Sequence, residues 1–380
     1  MIKENIEIKI TNNRKYPDLI LLGCIIFLLI FGLIMVYSAS FYTAQKDYGD
    51  SFFFLKRQAV GAVVGVVGMT FMLFFKLERL RKFKIYILIF AYILLLLVFV
   101  PFLSVEALGA KRWINLGFFT IQPSEIAKFA YVIFCAAYMD GCKKMKTIRG
   151  ALPVILIGLS ICVLIILEPN MSITMCVALT MVALLFIGGL SLKKMFLIVL
   201  PLAAAIPVLI VIEPYRMQRL LAFIDPWASP KDEGYQLIQS FYALGSGGWF
   251  GVGLFNSRQK FEFLPFSESD FIFSIIGEEL GFLGSVFIIA VFVVVIFRGI
   301  KIAINAKNRY LCYLASGIVA VIAIQVLINI AVVSGSIPPT GLPLPFISYG
   351  GSSLVVFMSA AGILLNISRQ KFSLQEFPAG

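Results

Sequence analysis

Ten stretches of mostly apolar residues, separated by charged or Pro/Gly-rich breaks, run through this chain. They fall at roughly 19–40, 58–75, 85–103, 124–139, 151–167, 171–190, 195–213, 271–297, 311–334 and 346–367. A helix needs about 20 such residues to cross the hydrocarbon of a bilayer. Composition points the same way: 60% of the 380 residues are hydrophobic and 14% are charged, whereas about a quarter are charged in soluble domains. The expected fold class is therefore an all-α polytopic membrane protein with about ten transmembrane helices. Ser38-Ala39-Ser40 imitates a cleavage site after the first run, but that run is too long for a signal peptide and nine more follow it. It reads as an anchor.

Lysine and arginine set the orientation. With the N-terminus inside, 21 of the 32 basic residues fall in inner segments and ten in outer ones, while Lys128 sits within a span. This bias follows the positive-inside rule and places both termini in the cytoplasm. Residues 1–18 then form an N-terminal tail, 19–367 one transmembrane domain, and 368–380 a C-terminal tail. The net charge of +12 is accounted for by topology, which removes the case for nucleic-acid binding. The seventh and eighth spans are joined by a large extracytoplasmic loop, 214–270. Loops of that length are usually functional. Within it, 234–244 is apolar and aromatic but too short to span, as expected of an interfacial or re-entrant helix.

Several chemistries are excluded. The chain has no histidine, so a His base, a Ser-His-Asp triad and a His metal site are out. Its six cysteines show no CxxC spacing and none falls in an outer segment, which argues against a disulfide framework and a zinc site.

Ionisable residues at membrane depth are expensive and mark sites by default. Five carboxylates lie in or at the mouths of spans: Glu125, Glu168, Asp270, Glu278 and Glu279, with Lys128 as the intramembrane cation. Glu125 and Lys128 share a helix face, either as a self-satisfying ion pair or as the lining of a cavity that opens outward. Gln122-Pro123-Ser124 before them suits a helix start with Ser124 as its cap. Arg112 and Trp113 in the preceding outer segment read either as an interfacial anchor or as a grip on a phosphate and a sugar face. Asp270 ends the long loop at the mouth of the eighth span. A carboxylate there is favoured by the helix dipole, and in a partly dry pocket it would also serve as a general base. Segment 336–353 holds four prolines and three glycines. Such backbone survives near membrane depth only where it is buried in protein or lines a cavity, so it marks a site wall or a gate.

The blocks GAKRWINLG (109–117), QPSEIAK (122–128), RLLAFIDP (219–226), GYQLIQS (234–240), SDFIFSIIGEELGFLG (269–284) and PPTGLPLPFISYGGSS (338–353) resemble the hallmark blocks of the SEDS family of FtsW, RodA and SpoVE. The likeness covers nearly the whole chain in order. NSRQKFEF (256–263) is more similar to the FtsW and SpoVE branch. Two positions depart from the pattern. Phe266 stands where the family usually has glutamate after Leu-Pro, and Phe255 stands where glycine is common.

The resemblance implies a peptidoglycan glycosyltransferase that polymerises lipid II at the outer face of the cytoplasmic membrane. It implies work with a class B penicillin-binding protein, among divisome or sporulation proteins, at the division septum or forespore membrane. It also implies an essential Asp270 and sensitive Trp113 and Glu125. One inverting displacement of undecaprenyl pyrophosphate needs a base, expected at Asp270. It also needs positive charge on the leaving group, for which Arg112, Lys128, Arg216 and Arg219 are available. A divalent cation, Mg or Mn, could bridge carboxylate and pyrophosphate, although no dedicated metal-site spacing is present. A lipid II flippase and a non-catalytic scaffold are the competing readings. A flippase needs a polar path into the cytoplasmic half, whereas Trp113, Glu125, Lys128 and Asp270 cluster toward the outer face and only Glu278 and Glu279 go deeper.

Overall fold

A computed structural model of the chain describes residues 16–107, 110–115, 120–212 and 214–370. The basic residues Lys3, Lys9, Arg14, Lys15 and Lys371, counted above as inner, lie outside the described residues, as does most of both tails.

The chain opens with α1 (Leu19–Tyr48), α2 (Phe53–Phe74), the short α3 (Leu77–Lys82) and α4 (Lys84–Leu97). A small sheet follows, built from β1 (Ser104–Ala107), β2 (Ala110–Asn115) and β3 (Thr120–Ile121). Next come α5 (Pro123–Gly141), α6 (Ile148–Leu167), α7 (Met171–Ile187) and α8 (Leu192–Ile212). The long loop carries α9 (Pro214–Ile224), a 3-10 turn at Pro226–Ala228 and α10 (Tyr235–Gly247). The chain closes with α11 (Ile272–Ile304), α12 (Arg309–Val333) and α13 (Gly351–Ser368).

Among the described residues seven helices, α1, α2, α6, α8, α11, α12 and α13, are long and apolar enough to cross a membrane, and α4 and α7 are shorter apolar helices. Their outward faces carry exposed Val63, Phe71, Phe90, Leu156, Phe196, Val293 and Phe297. An apolar belt of this kind belongs in lipid, and the chain is a membrane protein. α5 sits at the centre, with Tyr131, Cys135 and Ala136 fully buried. α8 lies at the periphery and is the most exposed of the long helices.

Three expectations are corrected. The chain is mainly but not wholly helical, because Ser104–Ala107, Ala110–Asn115 and Thr120–Ile121 form an antiparallel sheet in the order β1-β2-β3. Ser124 does not cap α5. Gln122 occupies the cap position, Pro123 opens the helix, and the buried Ser124 hydroxyl has no partner. The last apolar run does not begin at 346, since the backbone there is irregular and α13 starts only at Gly351. The apolar stretch 234–244 is indeed helical, within α10.

With lipid on all sides, interhelical hydrogen bonds hold a bundle together where water-driven burial cannot. Asn366 of α13 donates to the carbonyls of Met72 and Phe75 at the end of α2, at 2.8 and 2.6 Å. Gln58 of α2 donates to the carbonyl of Ser348 and accepts from the N–H of Gly350. The N–H of Asp18, before α1, reaches Ser368 Oγ at the end of α13, and Arg298 pairs with the Asp18 carboxylate. The described chain ends therefore lie together, at the end of the bundle remote from Asp270.

α11 is broken at Gly281, whose φ of +70° and ψ of −167° suit glycine alone. Segment 248–253 replaces the lost helical bonds. The N–H groups of Val252 and Gly253 meet the carbonyls of Glu278 and Glu279, and those of Phe282 and Leu283 meet Gly248 and Trp249. A Cβ at Gly281 would lie 2.3 Å from the Gly251 nitrogen.

Candidate active site

The irregular segment 336–350 forms a wall that is largely buried over 342–348. Several of its carbonyls and amides are engaged by neighbouring side chains and backbone, as backbone away from water requires. Gln325 of α12 donates to Pro343 O at 2.9 Å, and Asn329, one helical turn on, donates to Leu342 O at 2.7 Å. The same Asn329 amide reaches the main-chain oxygen of Asp270 at 2.9 Å. Ser348 accepts from Leu344 N–H and donates to Ser269 O. Tyr349 N–H donates to Glu268 O. The wall and the loop that carries Asp270 are thus sewn together at residues 268–270.

Asp270 is half-buried just before α11. Gly341 lies against it with φ +76°, and a Cβ there would stand 3.1 Å from Asp270 Oδ2. Burial pushes the Asp270 carboxyl up to about 6, while the positive charges of Arg219 and Arg112 and a bond from Ser269 pull it back down. Arg219, on α9, donates to Pro339 O of the wall at 3.3 Å. Arg112, on β2, clamps the turn between α6 and α7 by donating to the carbonyls of Glu168 and Pro169. Arg216 lies one turn before Arg219 on α9 and is half-buried. The long loop, the hairpin and the proline-rich segment therefore bring one carboxylate and two guanidinium groups to a single place.

Glu168 belongs to the same neighbourhood. It is 1% exposed, neither of its oxygens has a hydrogen-bond partner, and burial raises its carboxyl to about 8 against the pull of Arg112. Glu268 is also pushed up by burial, with the charge of Asp270 adding to it.

Other expected site residues have different surroundings. Trp113 follows Arg112 in β2, pairs with Val105 of β1, and so faces the opposite side of the hairpin. Arg112 shares its face with the buried Ile114. Glu125 and Lys128 are sealed, at 0% and 1% exposure. Lys128 donates to Glu125 at 3.1 Å and to Gln325 Oε1 at 2.5 Å, and Ser353 donates to Glu125 at 3.3 Å. Their geometry is that of the ion pair rather than of an outward cavity lining. Because Gln325 also holds Pro343, the pair braces the wall beside Asp270.

Glu278 and Glu279 form a second sealed cluster that the sequence reading left unexplained. Glu278 accepts from the Ser257 hydroxyl and from the N–H groups of Arg258 and Gln259. Glu279 accepts from Lys260 at 3.0 Å and Ser38 at 2.6 Å. These carboxylates fasten the 256–260 turn to α1 and to the break in α11. Phe255 and Phe266, the two departures from the family pattern, have φ of +65° and +56°. L-residues adopt that region only at a cost. The Phe255 ring meets Tyr37 edge-on at 6.0 Å.

Comparison with known proteins assigns the class. The family model for FtsW, RodA and SpoVE, described as "Cell cycle protein", matches residues 18–373, and the chain belongs to this family. Stage V sporulation protein E of Bacillus subtilis (strain 168) is 41% identical over 363 residues, covering 94% of this chain and 99% of that protein. A protein named probable peptidoglycan glycosyltransferase FtsW, from Geobacter sp. (strain M18), is 40% identical over 354 residues, covering 92% and 96%. Among solved structures, a chain from work on "Structural coordination of polymerization and crosslinking by a peptidoglycan synthase complex" superposes with a TM-score of 0.77. It is 27% identical, and the match covers 93% of this chain and 98% of that one. The rod shape determining protein RodA of Thermus thermophilus shares the fold, with a TM-score of 0.69 at 24% identity over 94% and 98% of the two chains.

Proposed function

We propose that this chain is a peptidoglycan glycosyltransferase that polymerises lipid II at the outer face of the cytoplasmic membrane, through ten spans with both termini inside. α5 supplies the tenth span, its Glu125–Lys128 pair shielded from lipid by its neighbours. The 4-hydroxyl of an acceptor sugar gives its proton to the Asp270 carboxylate and attacks the anomeric carbon of the growing chain. The bond to undecaprenyl pyrophosphate breaks, its electron pair leaves with the diphosphate, and the α linkage becomes β. Arg219 and Arg112 stabilise the charge that develops on the diphosphate, with Arg216 one turn away on α9. Trp113, on the face of the hairpin opposite Arg112, offers a surface for a sugar or a lipid headgroup rather than a contact at the reacting bond. Glu125 and Lys128 act by holding the wall.

The observation that carries this reading is the meeting of a half-buried Asp270 with two arginine charges. Among the described residues no three carboxylate, histidine or cysteine side chains gather as metal ligands. A divalent cation would therefore rest on Asp270 and Glu268 together with diphosphate oxygens, and would supply charge neutralisation there. The deeper carboxylates Glu278 and Glu279 are bound up in structural contacts, which works against a flippase path.

The partner expected from the family is a class B penicillin-binding protein, at the septum or the forespore membrane. The test is glycan polymerisation from lipid II by the purified chain, alone and with that partner. Polymer in either condition supports the reading, and no polymer in both overturns it in favour of flipping or scaffolding.

A further inference from the structure

At the end of the bundle remote from Asp270, an open groove of about 690 Å³ lies between the start of α4, the end of α5 and the start of α6. Four cations line it: Lys84, Lys143, Lys144 and Arg149. From these residues we propose that the groove binds an anionic phospholipid, its phosphate held by the four cations and its acyl chains lying along α4 and α6.

The groove is built rather than incidental. The turn bearing Lys143 and Lys144 is pinned to the first turn of α6. Thr147 Oγ1 donates to Lys144 O at 2.7 Å and accepts from Gly150 N–H, while Tyr138 donates to Gly150 O at 3.0 Å. Gly150 permits this close fold, because a Cβ there would lie 2.1 Å from Lys144 O. The turn thereby sets Lys143, Lys144 and Arg149 at the N-terminus of α6, whose dipole adds positive potential, and Lys84 lines the same groove from α4. The neighbouring carboxylate, Asp140, is already bonded to Arg81 of α3 at 2.5 Å, and among the described residues none of the four lining cations forms an ion pair.

The dimensions and flanks suit a lipid rather than a soluble anion. α4 and α6 close on each other again where the Tyr92 hydroxyl bonds Ser160 and approaches Ile157 O. That is eight residues, or about 12 Å, along α4 from Lys84. The two helices that flank the groove carry exposed apolar residues, Ile85 and Ile89 on one and Ile148, Leu152 and Leu156 on the other. Basic pockets between transmembrane helices are suited to anionic headgroups, whereas scattered juxtamembrane lysines give only diffuse attraction.

The test is native mass spectrometry of the full-length protein with phosphatidylglycerol, cardiolipin or phosphatidylcholine at matched amounts. The expected result is retention of the two anionic lipids, lost at least tenfold in Lys143→Gln/Lys144→Gln/Arg149→Gln. Lys193→Gln/Lys301→Gln/Lys307→Gln, which removes the same charge elsewhere at this end, retains them. Arg149→Lys, which keeps the charge, guards against misfolding and should also retain them. Equal loss in both triple variants, or full retention in the first, overturns the proposal. Displacement of the lipid by glycerol phosphate at equal concentration would reduce the site to a phosphate site and overturn the lipid assignment. Asp270→Asn should bind lipid unchanged, so the result stands apart from that of the transferase assay.

Discussion

Replacing Lys128 with methionine tests whether the sealed polar chain at the centre of the bundle is structural. Lys128 is 1% exposed and joins Glu125 at 3.1 Å to Gln325 at 2.5 Å. Its loss leaves the Glu125 carboxylate buried with Ser353 as its remaining partner, at 3.3 Å. Removing one partner of a buried pair costs about 3–5 kcal/mol, whereas removing both is often neutral. Lys128→Met is therefore expected to lower unfolding stability by about 3–5 kcal/mol, and Glu125→Gln/Lys128→Met to recover most of that loss. The assay is equilibrium unfolding of the four proteins of the cycle in one detergent. A loss below about 1 kcal/mol in the single variant, or a double variant no more stable than Lys128→Met, would refute the argument. The single variant should also lose transferase activity through Gln325 and Pro343, even though Lys128 touches no substrate.

Polymerisation rate should fall as pH drops through about 6, because the Asp270 carboxylate must be ionised to accept the acceptor's proton and its folded value lies near there; a flat profile from pH 5 to 8 would count against it. Glu168 has a folded value of about 8, above its ordinary 4.5, so the unfolded chain binds fewer protons between those values and stability declines as pH rises across that window. Glu168→Gln should flatten this decline in a melting-temperature series taken at constant salt. Gly281→Ala places a Cβ 2.3 Å from the Gly251 nitrogen at a φ of +70°; a melting temperature within a degree or two of wild type would contradict the need for glycine at the break.

Much of the bundle could be read from the chain because apolar runs of spanning length have few alternatives in lipid. The Gln122-Pro123 start of α5 and the helix at 235–247 follow from proline chemistry and from length. The sheet of β1, β2 and β3 is not legible because its strands are two to six residues long, too short for alternation to register against flanking apolar runs. Asp270 stood out as an ionisable residue at a helix mouth, and Arg112 and Arg219 as available cations. That they converge on Asp270 depends on how the long loop folds back, which no local pattern encodes. Gln58, Gln325 and Asn329 carry no charge and so do not stand out among ionisable residues at membrane depth. An amide inside an apolar run carries the same signal in weaker form, since it too must find a partner away from water. Lys260 reads as an ordinary outer-loop cation, yet it is 1% exposed and locked to Glu279, a contact set by the broken helix.

The central claim is that Asp270 accepts the proton of the attacking hydroxyl. Single-turnover polymerisation of lipid II by Asp270→Asn, measured beside wild type with the class B partner present, tests it most directly. The account predicts at least a hundredfold lower rate, with lipid II binding, partner binding and melting temperature unchanged. A variant that polymerises at a rate close to wild type would contradict it and would move the base to another residue.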